Sequence, residues 1–187
     1  MKYLGFLFIL FMALVLFFGA CQKWTDPPPK TDPRLDSPYC NDPAAVNYNW
    51  GFPGRPDDSV CYYPADMYKG TYVFKDSIYL SNNVFSYTYN NADTFLYMYS
   101  LSKNKMGVVG FCPNGDTLYF TVDRGLHATV DTGLNLGIGQ MFCSIADTAS
   151  GTIALDITDS SNRRYIVNII VASDTGTNFH RGFAIKQ

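Results

Sequence analysis

From Tyr68 to the C-terminus the chain alternates apolar and polar residues with a period of two, and each run ends in turn residues. Leu118, Phe120 and Val122 share one face, with Thr117, Tyr119 and Thr121 opposite. Ile153, Leu155 and Ile157 oppose Ala154, Asp156 and Thr158, and Tyr165, Val167, Ile169 and Val171 oppose Arg164, Ile166, Asn168 and Ile170. Successive side chains of a strand point to opposite faces, so this pattern specifies sheets with one buried and one wetter face, the antiparallel arrangement. Composition agrees. All 16 acidic residues are Asp, with 14 Tyr, 14 Phe and 15 Gly. The absence of the helix former Glu, with abundant turn and strand formers, describes an all-β chain.

Strands are expected at Thr71–Lys75, Val84–Tyr89, Thr94–Leu101, Met106–Phe111, Thr117–Val122, Leu126–Val130, Gln140–Ala146, Thr152–Thr158, Arg164–Ala172 and Phe179–Ile185. Asn90–Asp93 reads as the turn of a hairpin between the second and third of these. Eight to ten short strands joined by tight turns predict an antiparallel barrel or a two-sheet sandwich over residues 68–187, and closure would remove exposed edges.

The N-terminus sets the compartment. Lys2 precedes an apolar run from Leu4 to Phe18, followed by the small residues Gly19 and Ala20. About 15 residues make a helix of roughly 22 Å, short of a ~30 Å hydrocarbon core, so residues 1–20 read as a signal peptide rather than a permanent span. Phe18-Gly19-Ala20-Cys21 resembles the bacterial lipobox. That resemblance implies a diacylglycerol thioether on Cys21, whose acyl chains hold the protein on a membrane at ~0.8 kcal/mol per buried CH₂. Residues 21–39 form a Pro-rich tether. Gln22–Tyr39 contains five Pro and no hydrophobic period, so it is expected to be extended, spanning up to ~55 Å at ~3.1 Å per residue.

Apart from Cys21, four cysteines remain: Cys40, Cys61, Cys112 and Cys143. An even number in an exported chain implies two disulfides with three connectivities open, and the intervals do not suit a zinc site. Residues 40–63 are too short to fold without a staple, which a Cys40–Cys61 bond would supply, and Cys112–Cys143 would then be the second bridge. Within this piece Asp42 is placed to N-cap a short helix with Pro43 at its first position, and Asp57-Asp58-Ser59 forms a turn before Cys61.

Cys40, Asp42, Pro43, Ala45, Asn47, Tyr48 and Asn49, then Asp57, Asp58, Cys61 and Tyr63, resemble a cysteine module of Bacteroidota-type bacterial lipoproteins. The resemblance implies a small disulfide-closed cap ahead of a β domain, with no known activity. Tyr68-Lys69-Gly70-Thr71-Tyr72 resembles the opening of lipocalin-like domains, with Tyr72 in place of Trp. It also resembles uncharacterised β domains attached to this module. The likeness implies a barrel that binds a small hydrophobic molecule or a glycan.

Candidate sites are few. Phe85, Tyr87, Tyr89, Phe95, Tyr97 and Tyr99 are concentrated in the expected first hairpin. They would face a ligand cavity or form a sugar-stacking platform, but cross-strand packing in a barrel core accounts for them most simply. Asp42, Asp57 and Asp58 offer oxygen ligands for Ca²⁺ without an EF-type loop. No metal or other cofactor is otherwise expected. His127 and His180 lie in no nucleophile motif, and no Gly-x-Ser-x-Gly, His-Glu-x-x-His or phosphate loop is present. A glycosidase would need a carboxylate pair from Asp116, Asp123, Asp131 or Asp156. The net charge of −2 gives no footprint for nucleic acid. The chain therefore reads as a non-enzymatic outer-membrane lipoprotein facing the periplasm or the cell surface. It is anchored through Cys21 and acts on an envelope protein or glycan, with ligand binding as the alternative and hydrolysis third.

Overall fold

In the computed structural model, residues 11, 26–28, 30–82, 84–89, 95–112, 114–132, 140–142, 144–161, 164–174 and 176–187 are described. Residues 1–20 other than Phe11, Cys21, the Asn90–Asp93 turn and Cys143 lie outside this set. So do the side chains of Tyr87 and Tyr89. The chain divides into two compact units, Met1–Pro33 and Arg34–Gln187. In the first, residues 26–28 and 30–32 have no regular structure, as the proline content requires.

The extended spacer expected to run through Tyr39 ends earlier. Pro33–Asp36 forms a 3-10 turn, and β1 (Pro38–Tyr39) pairs in parallel with β2 (Arg55–Pro56). The Tyr39 ring is buried and packs edge-on against Phe52 at 5.7 Å between centroids. The Tyr39 ring and the β1–β2 backbone bonds, Arg55 N–H to the Ser37 carbonyl and Asp57 N–H to the Tyr39 carbonyl, both at 2.9 Å, attach the end of the spacer to the cap.

The cap is closed by the Cys40–Cys61 disulfide. Inside it the buried Asn47 replaces a strand partner: Nδ2 donates to the Val60 carbonyl and Oδ1 accepts from the Tyr62 N–H, both at 2.8 Å. The expected helix after Asp42 is absent. Asp42 Oδ1 accepts from the Ala44 N–H at 2.9 Å and builds an Asx turn, the competing use of an Asp side chain. The short helix lies instead at α1 (Pro64–Met67), where Pro64 starts the first turn. Asp57 caps a 3-10 turn at Asp58–Val60, as the turn chemistry predicts.

The remaining strands are β3 (Gly70–Leu80), β4 (Phe85–Tyr89), β5 (Phe95–Ser102), β6 (Lys105–Val109), β7 (Thr117–Val122), β8 (His127–Val130), β9 (Gln140–Phe142), β10 (Ser144–Leu155), β11 (Arg164–Ser173) and β12 (Gly176–Lys186). Strands β3, β5, β6, β7, β8, β10, β11 and β12 pair antiparallel in chain order, and β12 returns to pair with β3 from Lys186↔Tyr72 to Asn178↔Leu80. The result is a closed eight-stranded up-and-down barrel. The sandwich alternative is thereby excluded, since the first and last strands of the ring are hydrogen-bonded to each other. β4 and β9 are additions at the edges of β3 and β10.

Two sequence expectations fail in this region. β4 pairs with the second half of β3 (Asp76–Tyr79), and β5 pairs with the first half (Gly70–Val73), so the hairpin joins β3 to β4. Asn82 explains this, because its Oδ1 accepts from the Val84 N–H and the Leu80 N–H donates to the Val84 carbonyl, turning the chain there. The strand expected at Thr152–Thr158 is the end of the longer β10. Asp156 leaves the ladder to accept from the Thr158 N–H and Oγ1, and Ile157 is 89% exposed.

The barrel core follows the alternation. Inward Leu96, Met98, Met106, Leu118, Phe120 and Ile153 are fully buried. One end is filled by tyrosines: Tyr68 stacks on Tyr165 at 4.6 Å, and Tyr72 meets Tyr165 edge-on at 5.5 Å. Their hydroxyls all donate to backbone carbonyls, of Leu126 and Ile153 (Tyr68), Tyr68 (Tyr72) and Met67 (Tyr165). Burial pushes all three phenol pKa values upward, so each stays a neutral donor.

Candidate functional site

The aromatic row of β5 faces outward. Phe95 and Tyr97 are 48% and 55% exposed, while the intervening Leu96 and Met98 fill the barrel. Core packing, the simpler expectation for this set, therefore does not hold for the β5 residues. Along β5 the aliphatic side chains occupy the inside and the aromatic ones the outside. Gly107 on β6 makes their arrangement possible. A Cβ there would lie 2.6 Å from Tyr99 Cζ, so the Tyr99 ring crosses β6 over the glycine. Its hydroxyl reaches Thr117 on β7 at 3.4 Å. The Tyr97 ring stacks against the Tyr99 ring at 23° between planes and 5.8 Å between centroids, and Tyr119 is the residue opposite Gly107.

A second outward feature crosses β3, β12 and β11. Arg181 lies 5.2 Å from the Tyr79 ring centroid and 5.4 Å from that of Phe179. Phe85, 52% exposed, packs edge-on against Tyr79 at 5.6 Å. Beside them is an open groove of about 520 Å³, lined by Thr152, Asn168, Ile170, Phe179 and Arg181 with the strand positions Gly151, Ile169 and His180 between them. Gly151 has φ +131°, and a Cβ there would lie 2.1 Å from the Asn168 carbonyl oxygen. Only glycine allows that backbone approach.

The barrel also contains a polar pair that the sequence reading missed. Asp76 Oδ2 lies 2.6 Å from His180 Nδ1, and Asp76 is 6% exposed. Its other oxygen, Oδ1, has no partner among the described residues. The available signal was the placement of Asp76 on the inward face between Phe74 and Ile78, where alternation calls for an apolar residue.

The other candidates are used locally. Asp42 accepts from Lys103 Nζ at 2.5 Å, the Ala44 N–H and the Tyr63 hydroxyl, and these, Lys103 first, lower its pKa to about 2. Lys103 also lies over the Tyr63 ring at 4.8 Å, so this cluster joins the cap to the β5–β6 turn. Asp57 bonds to Ser59. Asp42, Asp57 and Asp58 do not assemble as a calcium set: among the described residues no group of three or more His, Cys or Asp is placed to hold a metal. Asp116 accepts from Asn114, Asp123 from the His127 N–H, Asp131 from Lys105, and Asp156 from Arg164 at 2.6 Å. Cys112 is buried and disulfide-bonded.

These features define an all-β protein: a closed up-and-down barrel with a disulfide-closed cap and an aromatic outer surface. No family model matches the chain, and neither the curated proteins nor the solved structures contain a match.

Proposed function

We propose that this chain is a non-enzymatic cell-envelope lipoprotein, anchored through Cys21 to the outer membrane, whose barrel acts as an interaction module through its outer surface. The carrying observation is the inversion on β5, with aliphatic residues inside the barrel and Phe95, Tyr97 and Tyr99 outside. Exposed aromatic surface of this kind is characteristic of binding faces. A photo-crosslinking residue at position 97 should give a discrete envelope adduct in cells, and one at the buried position 98 should give none. Equal behaviour at the two positions would overturn the reading. Cys21→Ser should move the protein from the membrane to the soluble fraction.

A second reading, a lipocalin-like module for a small hydrophobic molecule or a glycan, draws its support from the neighbouring outward rings of Tyr97 and Tyr99, 5.8 Å apart, since a sugar packs its apolar face on aromatic surface. Gly107→Ala tests it with both tyrosines kept: the new methyl would displace the Tyr99 ring from β6, and glycan binding should weaken, whereas unchanged binding would count against this reading.

A further inference from the structure

Beyond its tyrosines, the outer surface has a distinct charge. The protein is acidic overall, with a net charge of −2. Yet the outward positions of β3 from Thr71 to Tyr79, of β11 from Arg164 to Ala172 and of β12 from Thr177 to Ile185 include no carboxylate. They carry Lys75, Arg164 and Arg181 among Tyr79, Phe179 and Phe183. Arg164, which lies over the Phe183 ring at 4.8 Å, is bound to Asp156. Arg181 lines the groove, its guanidinium within reach of both the Tyr79 and Phe179 rings.

We propose that this groove is a binding site for an acidic saccharide, a uronate whose carboxylate meets Arg181 and whose ring lies against Phe179. Four observations converge on that class. The volume falls in the ~300–1,000 Å³ range of small-ligand clefts. The aromatic rings hold the guanidinium, so less side-chain freedom is lost on binding. An arginine has five N–H donors in a planar fork matched to a carboxylate, enough to engage one in addition to the contacts it already makes. Asn168 and Thr152, also in the lining, supply amide and hydroxyl groups suited to sugar hydroxyls. A carboxylate adds a charge-assisted contact to the guanidinium that a neutral sugar or an apolar ligand lacks.

This inference rests on the outer-surface reading and names a ligand for one part of that surface. The test is calorimetric titration of the full lipidated protein in detergent with tetragalacturonate, and with the same oligosaccharide fully methyl-esterified. The acid should bind, and weaken in high salt. The ester should bind roughly tenfold less tightly, the value of one charge-assisted contact. Arg181→Gln should weaken the acid by about tenfold or more, Arg181→Lys by less, and Phe179→Leu by several-fold, while Leu101→Ser at the far end of β5 leaves binding unchanged. Far-UV circular dichroism confirms that each variant is folded.

Equal affinity for acid and ester, no binding of the acid, or an unaffected Arg181→Gln would each overturn the proposal. So would Arg181-dependent binding to phosphatidylglycerol vesicles in place of the oligosaccharide. If the acid fails to bind while position 97 still crosslinks in cells, the groove assignment falls and the interaction-module reading stands.

Discussion

The cap and the barrel reach a fixed shape by opposite means. Between Cys40 and Tyr63 the described residues bury little: Cys40 and Ala45 are fully enclosed, while Trp50, Phe52 and Tyr62 are 75%, 68% and 62% exposed. One covalent bond and a set of side-chain-to-backbone hydrogen bonds from Asp42, Asn47 and Asp57 hold it. The barrel is filled mainly by apolar side chains, with Asp76 and the hydroxyls of Tyr68, Tyr72 and Tyr165 as buried polar groups, and its strands are held by the backbone ladder of a closed ring. A short segment lacks the surface-to-volume ratio for a core, so it depends on a crosslink and turn chemistry, whereas eight strands closed into a ring do not.

This contrast can be broken from either side. The largest effect is expected in the barrel: Phe120→Ala, at a fully buried site, should cost about 3–5 kcal/mol in chemical denaturation and destabilise the barrel as one unit. Replacing Cys40 and Cys61 together by Ser should cost about 3 kcal/mol through the loop it frees. Limited proteolysis should then cut within residues 40–63 while the barrel resists. A barrel that unfolds with the cap would show the two to be one cooperative unit. Asn47→Ala should cost about 1–3 kcal/mol by leaving the Tyr62 N–H and the Val60 carbonyl unpaired, and the loss should appear in hydrogen exchange of the cap.

The smallest effect concerns the joint between the two. Interactions led by Lys103 depress the Asp42 pKa to about 2 in the folded protein. A depressed carboxylate pKa contributes stability above the unfolded value of about 3.8, and that contribution is lost as pH falls through the folded value. The cap should therefore stay docked at neutral pH and loosen between about pH 4 and 2. Trp50 fluorescence is one way to follow it. Lys103→Ala should move the transition upward in pH, and an unchanged midpoint would remove this link from the account.

Local pattern made much of the barrel readable. Thr117–Val122 is a strand with the ends read from alternation, and its inward Leu118, Phe120 and Val122 are buried as expected. Tyr165, Val167 and Ile169 follow the same rule. The misreadings lie where two local rules compete or where the partner is distant. Asp42 can start a helix or close an Asx turn, and nothing nearby in the chain decides between them. Phe95, Tyr97 and Tyr99 alternate as well outside a barrel as inside it, since Leu96 and Met98 are equally able to fill the core. The partner of Asp76 is His180, 104 residues later, at a meeting made only when β12 closes on β3.

Taken alone, the chain determined that it is all-β, which faces of Thr117–Val122 and Tyr165–Ile169 turn inward, and that the cap needs a staple, because alternation is a local property and a segment of 24 residues is too short to bury a core. Tertiary structure alone decided that the sheet closes into a ring, that β4 belongs beside β3, and that the β5 aromatics face water. It also decided that Arg181 meets the Tyr79 and Phe179 rings at the edge of a groove. Each of these depends on which strands become neighbours, and that is settled by closing long loops against the whole buried interior rather than by any residue's own preference.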